Sequence, residues 1–255
     1  MSIVAHQASK ADIYSVEFFD LQLRFAAKVA DLSGLPLIDT VGSHTNIYVR
    51  LAMGSQFDGT NPAWLEYIST LATARDPAAW THEVHLQRAH LRAGPQAAAA
   101  VGCFSYALLG PNRVRLHFHP GYQLPDSPLS FANQHLRRRE LTELLSKLAS
   151  FFPDIHVVGA SWLYNLNSYR RLFPLPYLDL LKPIEPPYTR MPLWGQLLHR
   201  DRSVRTEASQ RFRSQLAQAA TLEQLSSCFP LPVLSAAVPA AWLLAQVRNE
   251  QGAPA

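Results

Sequence analysis

The feature that most constrains this chain is a double change of apolar period between residues 97 and 161. "AAAAVGCFSYALLG" and "RVRLHFHP" read as strands, and Pro111-Asn112 reads as the turn of a hairpin between them. The stretch "NQHLRRRELTELLSKLASFF" then places apolar residues at 141, 144, 145, 148, 151 and 152, a helical stripe. Pro153 stops that helix, and "DIHVVGASWLYN" gives a further strand. A helix of this length between strands at 113–118 and 155–161 is a crossover, which predicts that the two strands are parallel and adjacent. The fold class expected is α/β (α+β), a mixed sheet with a strand–helix–strand core and helices before and after it.

Those flanking helices announce themselves by their ends. Residues 14–32 form an apolar helix that Ser15 can cap and Gly34-Leu35-Pro36 ends. The β-branched and aromatic residues of "GSHTNIYVRLAMG" suggest a short strand or extended loop at 45–52. Asn61-Pro62 and Asp76-Pro77 each set an N-cap before a proline at the first helical position, and Trp64, Tyr67, Ile68 and Leu71 make a stripe after the first of them. A short helix is expected in "NSYRRLFP", an irregular proline-rich run from Pro174 to Pro192, and helices at about 206–220 and 237–248. The boundary suggested is a core domain over 1–182 and a C-terminal segment over 183–255 packing on it. Residues 250–255 read as a disordered end.

With 255 residues, 48% hydrophobic and 16% charged, the chain can bury a sizeable core. Its apolar runs are too short to span a membrane. The start, "MSIVAHQASKAD", has no basic region followed by an apolar core, so a secretory signal is not expected. Cys103 and Cys228 stand far apart in apolar surroundings and read as buried thiols of a reducing compartment, so a cytoplasmic location is expected. Charge is uneven. Residues 1–110 hold seven Lys/Arg against nine Asp/Glu, whereas residues 111–255 hold sixteen against ten. Nineteen of the basic residues are arginine, whose guanidinium fork suits phosphate and carboxylate. A small anionic ligand is therefore a candidate partner, alongside the plainer reading of an Arg-rich composition. No recognition motif supports nucleic acid.

Two constellations could carry chemistry. In "RVRLHFHP" strand alternation turns Val114, Leu116 and Phe118 to a core and Arg113, Arg115, His117 and His119 to the opposite face. That face could meet an anionic group or simply water. Two histidines two apart can also chelate a metal, but the arginines beside them repel a cation, so no metal is expected. The second constellation is Arg137, Arg138 and Arg139, at a helix end that already carries partial positive charge. A bound anion would offset both; a solvated turn is the alternative. "HEVH", from His82 to His85, is one residue short of H-E-x-x-H. G-x-S-x-G, G-x-x-x-x-G-K-[ST] and G-x-G-x-x-G are absent, and the acids Asp126, Glu140, Glu143 and Asp154 form no paired-carboxylate pattern.

The order hairpin, helix, strand, short helix over residues 97–173, with "NLNSYRRLFP" standing where the family has N-x-x-A-x-x-L-Y, resembles the second half of the GNAT acyltransferase fold. The resemblance implies an acyl-CoA substrate, with its pyrophosphate at the N-terminus of the helix from about Asn133 and its pantetheine in a splay between the parallel strands. Arg137, Arg138, Arg139, Arg115 and Asn165 would then contact CoA. The family's tyrosine place is Leu172 here, so the general acid moves to Tyr169 or Tyr164, and His117 or His119 would serve as base. The family's R/Q-x-x-G-x-G/A loop is replaced by "GYQLPDSPLSFANQHLRRR". The expected activity is acyl transfer from acyl-CoA to a small amine or alcohol. The alternative is a non-catalytic binding or regulatory protein on the same scaffold.

Overall fold

The computed structural model describes residues 13–54, 57–91, 99–119, 126–189 and 191–252. The chain forms two compact units whose boundaries fall at 94/95, 184/185 and 230/231, so each unit takes two separate stretches of sequence. This differs from the single boundary at 182/183 that the sequence suggests. The expected disordered end is ordered helix through Gly252, and residues 253–255 lie outside the described residues.

The first unit begins with helix α1 (Val16–Ser33). Ser15 Oγ accepts from the Phe18 amide at 3.3 Å, and Gly34 closes the helix at a φ of 72°. Helices α2 (Leu37–His44) and α3 (Ile47–Arg50) follow. The expected strand or extended loop at 45–52 is thus helical over Ile47–Arg50. The Asn46 amide donates to Gln22 Oε1 of α1 at 2.9 Å, and Ile47, Tyr48 and Leu51 are buried, so packing overrides the extended preference of the segment's residue types. Helices α4 (Pro62–Leu71) and α5 (Pro77–Gln87) start at Asn61 and Asp76, whose side chains accept from the first-turn amides. Trp64, Tyr67, Ile68 and Leu71 are all buried. His85 of "HEVH" is a core residue: its Nδ1 lies 2.8 Å from the Arg50 carbonyl, while its Nε2 accepts from the Tyr14 amide at 3.2 Å.

The second unit carries the sheet. Strands β1 (Ala99–Val101), β2 (Phe104–Gly110) and β3 (Arg113–Phe118) are antiparallel neighbours. The first of the expected strands is therefore two, because Gly102, at a φ of 56°, turns the chain back on itself. Helix α6 (Gln134–Phe151) leads to β4 (His156–Ser161), which pairs with β3 in parallel. This is the crossover that the sequence predicts. Helices α7 (Asn167–Arg170) and α8 (Leu175–Leu178) and the short strand β5 (Lys182–Pro183) follow. After α9 (Thr206–Gln218) of the first unit, the chain contributes β6 (Leu234–Pro239) and α10 (Ala240–Gly252) to the second.

The six strands form one mixed sheet in the order β1-β2-β3-β4-β6-β5, and the protein is a mixed α+β fold. β6 takes the first three residues, 237–239, of the helix expected at 237–248. Its alanines favour a helix, but all six residues pair with β4, and Ala236 and Val238 enter the core. Pro239 is tolerated because β5 reaches only Leu234 and Ser235, which leaves that end of β6 without a partner on its outer side. Leu141, Leu144, Leu145 and Leu148 of α6 pack on Val114, Leu116 and Val157, together with Leu243 and Val247 of α10. Each such side chain contributes roughly 1.5–3 kcal/mol relative to exposure. The last two positions of the α6 stripe behave otherwise: Phe151 is 73% exposed and Phe152 42%. Cys103 and Cys228 are free, buried thiols. Among the described residues no helix is long and apolar enough to cross a membrane.

Candidate functional site

β3 and β4 pair only from Arg113/His156 to Leu116/Gly159. Beyond that point both strands continue for two residues. His117 and Phe118 stay paired with Ser105 and Phe104 of β2, while Ala160 and Ser161 stay paired with Ser235 and Leu234 of β6. Each strand keeps its outer neighbour and loses its inner one. The sheet therefore forks at the carboxyl ends of its two parallel strands, the place where open sheets with crossover helices bind ligands.

Behind the fork lies an aromatic cluster. Ser161 ends β4, and its Oγ caps a short 3₁₀ turn, Trp162–Asn165, by accepting from the Leu163 amide at 3.1 Å. This turn and the helices after it carry Tyr164, Tyr169, Phe173 and Tyr177 into the core on the Leu116 face of the sheet. The Tyr164 and Tyr177 hydroxyls lie 2.9 Å apart. Both press on Gly159, where an added Cβ would meet each oxygen at 2.2 Å. A glycine inside a strand signals this kind of close approach, so "HVVGAS" carried the information, although Tyr177 had no signal of its own. The Tyr169 ring stands 5.1 Å from Tyr164 and 5.3 Å from Phe118. Burial holds all three phenols above their usual range, Tyr177 at about 12.

The histidines occupy the other face. His117 follows Leu116 and points away from the tyrosines by strand alternation, beside Arg115. Desolvation, aided by the charges of His119 and Arg115, lowers the half-buried His117 imidazole to about 4. It is therefore neutral at physiological pH. His119 is exposed; its Nε2 lies 3.0 Å from Ser105 Oγ and its ring stacks 6.0 Å from His117. The expected tyrosine acids and histidine bases thus border the same fork on opposite faces.

The arginines of α6 are neither a solvated turn nor a cluster aimed at one anion. Arg137 is 2% exposed; it pairs with Glu140 at 3.0 Å and contacts Cys103 Sγ. Glu140 in turn accepts from the Cys103 amide at 3.0 Å, which ties α6 to the β1–β2 turn. Arg138 donates through Nε and Nη2 to the Arg171 carbonyl at 2.9 and 2.7 Å. Arg139 is exposed. Asn165, expected at a cofactor, instead donates its amide to the Trp162 and Pro232 carbonyls, both at 2.8 Å, and so fixes the turn after β4. Arg137 takes its ion-pair partner three residues on, while Arg138 and Asn165 donate to main-chain carbonyls, and residue type alone shows none of these pairings. Among the described residues no three His, Cys, Asp or Glu side chains gather as a metal site.

Comparison with family models, with curated proteins and with solved structures finds no match to this chain.

Proposed function

We propose that the chain binds an acyl-CoA thioester at the fork and transfers its acyl group to a small amine or alcohol. The observation that carries this reading is the loss of β3–β4 pairing after Leu116/Gly159 while both strands continue. Main-chain groups along such a gap can accept the extended, amide-bearing pantetheine as a strand accepts a neighbour. In the reaction the acceptor nitrogen or oxygen bonds to the acyl carbon, and the carbon–sulfur bond breaks. The sulfur leaves with the bonding pair and takes up one proton, and the acceptor gives up one. Neutral His117 takes the acceptor's proton. Tyr164, hydrogen-bonded to Tyr177, supplies the proton to sulfur, and strand amides hold the oxyanion. Of the three arginines in the first turns of α6, exposed Arg139 is the one available to a CoA phosphate.

A second reading, a binding or regulatory protein on this scaffold, is favoured by two observations. Tyr164 and Tyr169 are fully buried, and Arg137 and Arg138 have internal partners. Two measurements separate the readings. Thermal melts with CoA and acetyl-CoA should show stabilisation, about 2.7 kcal/mol at a hundredfold excess over Kd. Release of free CoA thiol is then followed with a panel of amines and alcohols. No stabilisation at millimolar CoA refutes acyl-CoA binding altogether. Stabilisation without acceptor-dependent thiol release leaves the binding protein.

A further inference from the structure

The first unit holds two polar side chains without partners, one helical turn apart. Tyr14, two residues before α1, is buried and held in place. Its ring stacks on Phe18 at 5.0 Å, its amide donates to His85 Nε2 at 3.2 Å, and its hydroxyl accepts from Arg202 Nη1 at 2.6 Å. The Arg50 guanidinium lies over this ring, 4.7 Å from its centroid. Among the described residues that guanidinium has no hydrogen-bond acceptor and no carboxylate partner, and its Nε is buried. Glu17 and Asp20, which follow Tyr14 on α1, pair with Arg213, and Asp201, beside Arg202, accepts from Ser203. One turn before Arg50 stands Asn46, whose carbonyl accepts from the Arg50 amide at 3.0 Å. Asn46 is 4% exposed, yet its Oδ1 has no donor. A fold rarely carries the cost of a buried donor or acceptor unless water or a ligand completes it.

We propose that Arg50, Asn46 and the Tyr14 ring form a binding site for a small hydroxy acid, with its carboxylate on Arg50 and its hydroxyl on Asn46. The site belongs to the first unit and stands independently of acyl transfer at the fork. The edge of a guanidinium that carries Nε and one Nη meets two carboxylate oxygens through parallel hydrogen bonds. At Arg50 that edge starts with the unpartnered Nε. A carboxylate there also balances a charge that an aromatic face offsets only in part. Asn46 Oδ1 accepts, so the ligand must bring an O–H or N–H to it. Side chains one helical turn apart have Cβ atoms about 5–6 Å from one another, so the donor belongs within a few bonds of the carboxylate. An ammonium at that place would stand beside the guanidinium, and like charges repel, which leaves a hydroxyl as the matching donor.

The test uses the full chain and lactate, with propionate as its counterpart lacking the hydroxyl. Isothermal titration and thermal melts are recorded for both acids against chloride at matched ionic strength. Lactate should bind at a single site and raise the melting temperature, and propionate should bind more weakly. Arg50→Gln should weaken lactate binding by roughly tenfold or more, the effect of losing a charge-assisted hydrogen bond. Arg50→Lys keeps the charge but loses the paired edge; it should weaken binding too, and it serves as the second variant should Arg50→Gln fail to fold. Asn46→Leu should bring lactate down to the level of propionate and leave propionate unchanged. Arg75→Gln, the same change of charge at an exposed position of the first unit, should leave lactate binding unchanged. The inference is overturned if neither acid binds, since a bridging water then completes the site, or if Arg75→Gln weakens lactate as much as the Arg50 variants do. Equal binding of lactate and propionate, with no effect of Asn46→Leu, overturns the hydroxy-acid assignment. CoA does not enter these measurements, so their failure leaves the acyl-CoA reading standing, and failure of that reading leaves this inference standing.

Discussion

Gly159→Ala probes the contact on which the fork is built. A Cβ at this position would meet the Tyr164 and Tyr177 oxygens, each at 2.2 Å, and the Tyr164 ring carbon Cζ at 3.1 Å. Both tyrosines are rigid, and their exposures are 1% and 0%, so neither hydroxyl can swing into solvent. Forcing one methyl into a packed core costs about 1–3 kcal/mol. Separating the two hydroxyls from their 2.9 Å hydrogen bond adds about 1 kcal/mol. The expected loss is therefore roughly 2–4 kcal/mol, a large part of the 5–15 kcal/mol typical of a folded protein. Urea unfolding should register it as a lower midpoint at an unchanged slope. The same substitution in a Tyr164→Phe/Tyr177→Phe background meets no oxygen and should cost under about 1 kcal/mol, a coupling that a mutant cycle resolves. Equal losses in both backgrounds, or a loss below about 0.5 kcal/mol in the original, would refute the argument that the hydroxyls close on Gly159.

Glu140→Ala should destabilise by about 3–5 kcal/mol, because it strands the Arg137 charge in the core, and Glu140→Ala/Arg137→Leu should recover most of that in the same urea assay. His117 should make stability depend on acid. Its folded form resists protonation down to about 4, whereas an unfolded imidazole takes up a proton near 6.5. The unfolded state then binds more protons between those values. Stability from this group is fully present above pH 6.5 and is lost as pH falls toward 4, and His117→Asn should flatten the pH dependence of the urea midpoint in that window. Asp76→Ala removes the acceptor for the Ala78 and Ala79 amides and should cost about 0.5–2 kcal/mol, with Asp76→Asn nearly neutral.

What the sequence discloses depends on how far apart the interacting residues are. Ser15, Gly34, Asn61-Pro62 and Asp76-Pro77 mark helix ends correctly because each cap and its hydrogen-bond partner lie within four residues. The parallel pairing of β3 and β4 follows from the length of the crossover, and the two faces of β3 follow from alternation. Residues 47–50 and 237–239 depart from the expected elements because their local preferences yield to distant partners, Gln22 in the first case and β4 in the second. The two-segment units are invisible for the same reason, since no local signal says that residues after 230 rejoin the sheet.

The candidate site follows the same rule with one further twist. Three arginines opening a helix look uncompensated because an acid is expected just before or within the first turn. The compensation exists but is split: Glu140 is one turn further on and also fastens the β1–β2 turn, and the acceptor for Arg138 is a carbonyl more than thirty residues away. A run of like charges therefore says nothing about a shared ligand until each guanidinium is followed to its own partner. The fork is harder still to read. It is an absence of pairing between two strands that both continue, and periodicity reports only that each is a strand. Its one local trace is Gly159, the last residue of β4 paired with β3, whose missing side chain makes room for two phenols. A strand glycine at the end of a parallel ladder is thus where the packing of the cluster, the divergence of the strands and the proposed chemistry meet.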